Sequence, residues 1–240
     1  MNTVFETTYQ VLPSVCDADG YLGIGHTFSL FMDLASAHAV DLHIGYYDFL
    51  PAGNFWLTVK TQIHFFRRPQ MYTFVTLRTW PEQPQALRTD RSYEIWQNGE
   101  LCASGKTEWA VINLTSGQLI PMEDVFPKGL AFDGATACDT PYARIRTKFD
   151  GVEPIGTYTI RSTDIDVGRH MNNAAYVHAL LGCLSVEERE KAPITRMDVV
   201  FRAQSYEGET LELRAVPTED GCDYQFSADG TVRFLARMWH

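Results

Sequence analysis

The sequence of 240 residues lacks any apolar run that approaches the roughly 18 residues of a membrane-spanning helix. Its first residues contain neither a basic segment nor an apolar core, so no secretory signal is predicted. No two cysteines stand at C-x-x-C spacing, and the total of five is odd, which argues against a disulfide framework and a zinc site. We therefore expect a cytoplasmic protein with reduced thiols, no membrane span and no bound metal.

Positive charge is also scarce. The chain has 20 Lys and Arg against 30 Asp and Glu, a formal net charge of −10. Nucleic acid is not expected as a partner, because general nucleic-acid binding needs a basic surface. An anionic ligand would have to bind at a local basic cluster. The sequence offers three such clusters: Arg67-Arg68, Arg88 with Arg91, and Arg144-Ile-Arg146-Thr-Lys148.

The same order of predicted elements occurs twice. Residues 4–12 alternate like a strand, residues 27–44 carry an apolar stripe typical of a helix, and four strand-like runs follow. The second copy begins near Gly156 and repeats this order, with its helix predicted over 173–186. Two-residue turns close the matching hairpins at Asn98-Gly99 and Asp229-Gly230.

This pattern predicts an α+β fold in which each copy wraps an antiparallel sheet around one central helix. We expect an N-terminal repeat over 1–120, a linker over 121–153 and a C-terminal repeat over 154–240. The alternative is a pair of unrelated α+β domains. The Asp-x-Asp sequence before both helices and the matching hairpin turns favour a repeat.

The start of the second helix has an unusual density of polar side chains. Asp166, His170, Asn172 and Asn173 all lie between a strand and an apolar helix. Backbone N–H groups at a helix start can stabilise an oxyanion, and a carboxylate beside them can take a proton from water or attack a carbonyl. His170 could orient the carboxylate or move a proton. Asn172 could instead be a helix cap, and Asn173 could hold the loop in shape.

The stretch Asp166-Val-Gly-Arg-His170-Met-Asn172-Asn173-Ala-Ala-Tyr176 resembles the Asp-x-x-x-His-Val-Asn-Asn-x-x-Tyr signature of hot-dog thioesterases. With the preceding Asp164-Ile, it most closely resembles the acyl-acyl carrier protein thioesterases of plants and bacteria. Residues 55–60, 78–81 and 98–109 resemble further segments of that family. The resemblance implies a double hot-dog fold, hydrolysis of fatty acyl thioesters, and Asp166 and His170 as catalytic residues.

The sequence departs from the plant members of that family at two places. They have an Asn where this chain has Gly168, and a Glu-Cys pair where it has Gln204-Ser205. A cysteine nucleophile and a glutamate base at that place are thus excluded, since Gln204 cannot take a proton at neutral pH. Gln204 is predicted to position a water, and the base role falls to Asp166, with His170 as the alternative. Gly168 and Ser205 are predicted, with Asn172 and Asn173, to contact the substrate.

The matching region of the first copy runs from Asp17 to His26. It keeps carboxylates and a histidine but lacks the Asn-Asn pair. We therefore interpret it as a degenerate copy that lines the acyl pocket.

The predicted reaction releases a free fatty acid and the thiol of acyl carrier protein. It needs no metal or other cofactor, because a thioester is already an activated acyl group. Three alternatives stay open: the same hydrolysis on acyl-coenzyme A, a non-catalytic acyl-binding module, and, less favoured by the motif, a hot-dog dehydratase. The protein could act as a monomer or as a homodimer.

Overall fold

The computed structural model describes residues 3–132 and 134–240. Its contacts divide the chain into two compact units, Met1–Thr140 and Pro141–His240. No helix of the described residues is long and apolar enough to cross a membrane.

The first unit is built on an antiparallel sheet and one long helix. Its strands are β1 (Phe5–Gln10), β2 (Asn54–Phe65), β3 (Phe74–Pro81), β4 (Thr89–Gln97) and β5 (Glu100–Asn113), and its α-helices are α1 (Ile24–Asp41) and α2 (Tyr46–Phe49). Neighbouring strands are antiparallel in the order β1-β3-β4-β5-β2. The long helix α1 packs on this sheet: Phe31 is fully buried and stacks on Tyr93 of β4 with 4.5 Å between ring centroids.

The second unit repeats this architecture. Its strands are β6 (Gly156–Thr159), β7 (Arg196–Phe201), β8 (Thr210–Pro217), β9 (Gly221–Ala228) and β10 (Thr231–Trp239), and its α-helices are α3 (Asn173–Gly182) and α4 (Val186–Lys191). The strand order is β6-β8-β9-β10-β7, again antiparallel throughout. Tyr176 of α3 stacks on Phe234 of β10 at 5.4 Å, so the helix packs on the sheet face as in the first unit.

The predicted repeat is confirmed by these two strand orders, which become identical when β6 to β10 are matched to β1 to β5. Both predicted two-residue turns are confirmed as well. Asn98 and Gly99 have φ of 52° and 80°, and Asp229 and Gly230 have φ of 48° and 72°. Two successive residues in the left-handed region are what a tight hairpin with right-handed strand twist requires.

The helix boundaries differ from the predicted ones. The first helix begins at Ile24, three residues before the prediction, and ends at Asp41 rather than near Gly45. His43 turns into the left-handed region with φ of 57°, and Gly45 is instead the N-cap of α2. The second helix ends at Gly182 rather than continuing to residue 186. Ser185 starts α4 through a capping box with Glu188, which accounts for the break.

The segment predicted as a linker, residues 121–153, is shared between the two units. Met122 and Phe126 are buried in a hydrophobic cluster of the first unit. Ile145 and Phe149 are buried in a cluster of the second unit, against Leu235. Much of this segment therefore packs on the sheets, and the limits at residues 120 and 153 stay predictions.

Candidate active site

A tight turn holds the polar motif in front of α3. The Arg169 N–H donates to the Asp166 carbonyl at 3.0 Å, and the Asp166 N–H donates to the His170 carbonyl at 3.1 Å. Ile165 and Met171 form an antiparallel bridge below the turn. Arg169 completes it with φ of 63°, in the left-handed region. This geometry brings Asp166 and His170 side by side.

The Asp166 carboxylate lies in a polar, half-buried environment. Oδ1 accepts from the Gly168 N–H at 2.8 Å, and Oδ2 accepts from Asn172 Nδ2 at 3.4 Å. His170 Nδ1 is 3.9 Å from Asp166 Oδ1, and the two side chains are 15% and 23% exposed for His170 and Asp166, respectively. The carboxylate is thus oriented by two donors while part of its surface stays open to water.

Asn172 is both a helix cap and a contact of Asp166. Its Oδ1 accepts from the Ala174 N–H at 2.8 Å as the N-cap of α3. Its own N–H donates to the Asp164 carbonyl at 2.8 Å. The cap interpretation of Asn172 is therefore confirmed, and its predicted contact with the substrate stays a prediction. Asn173 follows as the first residue of α3 and is partly buried.

Gln204 and Ser205 lie next to the turn, but the environments of their side chains differ from that of the half-buried Asp166 carboxylate. The Ser205 carbonyl accepts from the Met171 N–H at 2.8 Å, which fixes the loop after β7 against the motif. Gln204 is exposed, and its Oε1 accepts from the Tyr206 hydroxyl at 3.0 Å. Ser205 is fully buried. Water positioning by Gln204 and substrate contact by Ser205 stay predictions. The second would require the buried Ser205 side chain to become accessible.

Sequence reasoning missed the support given by Tyr158. Its hydroxyl donates to Asp164 Oδ2 at 2.8 Å, and the Arg161 N–H donates to the same oxygen at 2.8 Å. Burial and the hydrogen bond to Asp164 raise the pKa of Tyr158 to about 12. Asp164 in turn binds the Asn172 backbone. No local sequence signal reveals Tyr158 or this role of Asp164, since an arginine three residues before it is not a capping residue.

The first unit contains the same turn. The Gly20 N–H donates to the Asp17 carbonyl at 3.0 Å, and the Asp17 N–H donates to the Tyr21 carbonyl at 2.9 Å. This pattern matches Asp17 to Asp166, Gly20 to Arg169 and Tyr21 to His170. The histidine that the sequence suggested as the counterpart, His26, lies instead in the first turn of α1.

Arg68 is the residue that distinguishes the first turn chemically. The Leu22 N–H donates to the Pro69 carbonyl at 2.8 Å, as the Met171 N–H does to Ser205, so Arg68 matches Gln204. Its guanidinium pairs with Asp17 at 2.8 Å and with Asp19 at 2.6 Å. The carboxylate of the first turn is thus held in an ion pair, whereas that of the second turn has neutral donors.

Two of the three predicted basic clusters are largely neutralised. Besides Arg68, Arg67 pairs with Glu100 and Arg88 pairs with Glu108. Arg91 is buried, which lowers the pKa of its guanidinium, and it contacts His38 Nδ1 at 2.9 Å. In the third cluster the positively charged side chains stay exposed: Arg144, Arg146 and Lys148.

Comparison with known proteins agrees with this geometry. Residues 2–129 match the model of the acyl-ACP thioesterase N-terminal domain, and residues 148–237 match that of the C-terminal domain. The chloroplastic palmitoyl-acyl carrier protein thioesterase of Arabidopsis thaliana is 25% identical over 180 residues, which are 70% of this chain and 42% of that protein. The chain therefore spans about two-fifths of the length of this curated relative.

Solved structures show the same fold. An acyl-ACP thioesterase from Bacteroides thetaiotaomicron superposes with a TM-score of 0.87 at 22% identity, over 99% of this chain and 97% of its own. The 12:0-ACP thioesterase from Umbellularia californica gives a TM-score of 0.88 at 18% identity, over 100% and 97%.

The fold and the polar turn define a double hot-dog protein, as the sequence predicted. Because the two family models together match most of its residues, the chain belongs to the acyl-ACP thioesterase family.

Proposed function

We propose that this protein hydrolyses fatty acyl thioesters of acyl carrier protein, releasing a free fatty acid and the carrier thiol. The observation that carries the proposal is the Asp166 carboxylate, oriented by the Gly168 N–H and by Asn172 beside the start of α3. The family membership and the substrate in the name of the Arabidopsis relative support it.

The proposed reaction begins with a water bound by Asp166. The carboxylate takes one proton from the water as the oxygen attacks the thioester carbonyl carbon. The C–S bond of the tetrahedral intermediate then breaks, and the sulfur leaves with the proton that Asp166 had taken. The hydroxyl of the water is thus added to the acyl group and its other proton to the sulfur, and Asp166 is again ionised.

The oxyanion of the intermediate needs positive potential close to Asp166. The Ala174 and Ala175 N–H groups are engaged by the side chain and the carbonyl of Asn172. Stabilisation therefore falls to the positive end of the α3 dipole, to Asn173 at its first position, and to His170. His170 Nδ1, 3.9 Å from Asp166 Oδ1, is placed to orient the carboxylate or the water, which keeps both predicted roles open.

The test is release of free thiol from a panel of acyl-acyl carrier protein and acyl-coenzyme A substrates. We expect turnover by the wild type and a loss of about 100-fold or more in D166N, the size attributed to a positioned acid or base. The matched control is D17N, which removes the corresponding carboxylate of the first turn and should leave turnover in place.

Full activity of D166N would exclude the proposed base. Tight binding of acyl thioesters by a folded wild type without any turnover would establish an acyl-binding module instead. Faster turnover of coenzyme A substrates than of carrier-protein substrates carrying the same acyl group would assign the coenzyme as the natural carrier.

We propose a cytoplasmic location, supported by five free cysteines, as suits a reducing compartment. Fractionation of cells that express the protein tests this location. The homodimer considered from the sequence is tested by the mass of the purified protein in solution.

A further inference from the structure

The tip of the candidate catalytic turn carries an arginine in a costly backbone conformation. Arg169 has φ of 63°, where a residue with a side chain is disfavoured relative to glycine. The same turn in the first unit has Gly20 at this place, with φ of 79°. The fold of the turn therefore does not require a side chain here, and a strained residue beside a reactive group points to a functional role.

The second feature of Arg169 is its charge. The side chain is exposed, and in the described part of the chain no ion pair engages it. Several exposed or half-exposed arginines have acidic partners: Arg67 has Glu100, Arg78 has Glu94 and Arg88 has Glu108. Arg169 differs from these and shares its exposed, unpaired charge with Arg144 and Arg146 in the described part of the chain. In a protein with a net charge of −10, Arg169 leaves an unneutralised cation three residues from Asp166.

An apolar side chain stands next to this cation. Val167, on the same turn, is 69% exposed. Within the three residues that follow Asp166, the turn thus carries an exposed apolar side chain and an exposed cation.

A ligand with matching chemistry is the arm that carries the acyl group. Acyl carrier protein and coenzyme A share a phosphopantetheine arm, with the thioester at one end, an amide chain in the middle and a phosphate at the far end. A guanidinium binds phosphate through two parallel hydrogen bonds. Resting on the proposed function, we propose that Arg169 contacts the phosphate of the phosphopantetheine arm while Asp166 acts on its thioester.

The experiment compares one acyl group on phosphopantetheine and on pantetheine, which lacks the phosphate. We expect R169Q to lower kcat/KM for acyl-phosphopantetheine about threefold to tenfold, less than for a buried charge-assisted hydrogen bond because Arg169 is exposed. Turnover of acyl-pantetheine should stay at the wild-type rate. The matched control is R202Q, which removes an exposed arginine of the same unit and should change the turnover of neither substrate.

Three results would overturn the inference. An equal loss on both substrates would show that Arg169 acts on the turn and not on the phosphate. An equal effect of R202Q would indicate general attraction by positive charge. Unchanged kinetics of R169Q on both substrates would exclude a contact between Arg169 and the phosphate. If the wild type hydrolyses neither substrate, calorimetry can measure binding of the non-hydrolysable thioether analogues of acyl-phosphopantetheine and acyl-pantetheine. The inference then requires R169Q to weaken binding of the phosphorylated analogue alone.

Discussion

At the scale of single residues, Asn172 divides two tasks between its two side-chain atoms. Oδ1 caps α3 by accepting from the Ala174 N–H, and Nδ2 donates to the Asp166 carboxylate. An N-cap stabilises a protein by about 1 kcal/mol relative to alanine, whereas the donor orients the proposed base. Because an aspartate can cap a helix as well as an asparagine does, the two tasks can be separated by substitution.

We expect the free energy of unfolding of N172D to be close to that of the wild type, because the aspartate keeps the cap acceptor. Its turnover should be mostly lost, because the substitution places a second negative charge beside Asp166. N172A should lose turnover and also about 1 kcal/mol of stability. Denaturant unfolding and thiol release measure the two effects. If N172D were as active as the wild type, the hydrogen bond from Nδ2 would have no part in the reaction.

Tyr158 gives a prediction about pH at the same scale. Burial and the bond to Asp164 raise its pKa to about 12, against about 10 for a free tyrosine. Because its pKa is raised in the folded state, protonated Tyr158 contributes to the free energy of unfolding. This contribution is complete below a pH of about 10 and is lost as the pH rises through about 12.

The ultraviolet difference spectrum between the wild type and Y158F should therefore show one tyrosine ionising near pH 12, after free tyrosine has ionised. Y158F should also lose less stability than the wild type across this pH window. Ionisation of Tyr158 at the value of a free tyrosine would show that the hydrogen bond to Asp164 does not persist in solution.

The sequence allowed some residues of the candidate site to be predicted and others not. Asp166, His170 and Asn172 come together because one turn and one helix start determine their positions. Tyr158 and the side-chain direction of Gln204 depend on strands that meet the motif only after folding. Arg68 was considered only as part of a basic cluster, because its pairing with Asp17 spans 51 residues of sequence.

At the scale of elements, periodicity and turn residues were sufficient to predict the strands and the two hairpins, while helix ends were less predictable. The end of α3 was missed because Leu184 continues the apolar stripe, whereas the capping box of Ser185 starts a new helix. A local hydrogen bond at the cap therefore prevailed over the hydrophobic pattern.

The segment 141–149, which carries the third basic cluster, is held on the second unit by buried aspartates. The Asp198 carboxylate accepts from the Ala143 N–H at 2.7 Å and pairs with Arg196. Asp223 accepts from the Arg146 N–H at 3.2 Å and pairs with Arg237, whose pKa is raised chiefly by that hydrogen bond. Backbone groups that would otherwise be unsatisfied are thereby paired.

We expect D223N to destabilise the protein by about 2 kcal/mol, less than the roughly 3–5 kcal/mol of a fully buried pair because Arg237 is still 23% exposed. Trypsin should then cleave faster after Arg146 and Lys148. Denaturant unfolding and timed proteolysis measure both effects.

The matched control for this substitution is E187Q. It removes an ion pair with Lys191 in which both side chains are more than 70% exposed, so the change should stay within about 0.5 kcal/mol. Equal effects of the two substitutions would show that burial does not strengthen the Asp223 contacts.

At the scale of the whole molecule, one fold is used twice with different chemistry in its two copies. The shared turn, helix and strand order show that the architecture itself does not need a reactive carboxylate. The first copy ties Asp17 to Arg68, and the second leaves Asp166 with neutral donors. We therefore expect hydrolysis to be confined to the second unit.

The thiols, distributed over both units, provide a last prediction about the whole chain. All five cysteines are free; Cys102 and Cys138 are buried, and burial raises the thiol pKa of Cys16, Cys183 and Cys222. Near neutral pH each of these three thiols is mostly protonated and therefore slow to react with alkylating agents. The proposed reaction uses no cysteine.

Treatment of the folded protein with iodoacetamide near neutral pH should accordingly leave its turnover unchanged, with few thiols modified by mass spectrometry. The control is the same treatment in denaturant, where all five cysteines should react because their burial is lost. Loss of turnover in step with modification of a single cysteine in the folded protein would place a thiol at the reacting centre. That result would contradict a mechanism in which Asp166 activates the water and no thiol takes part.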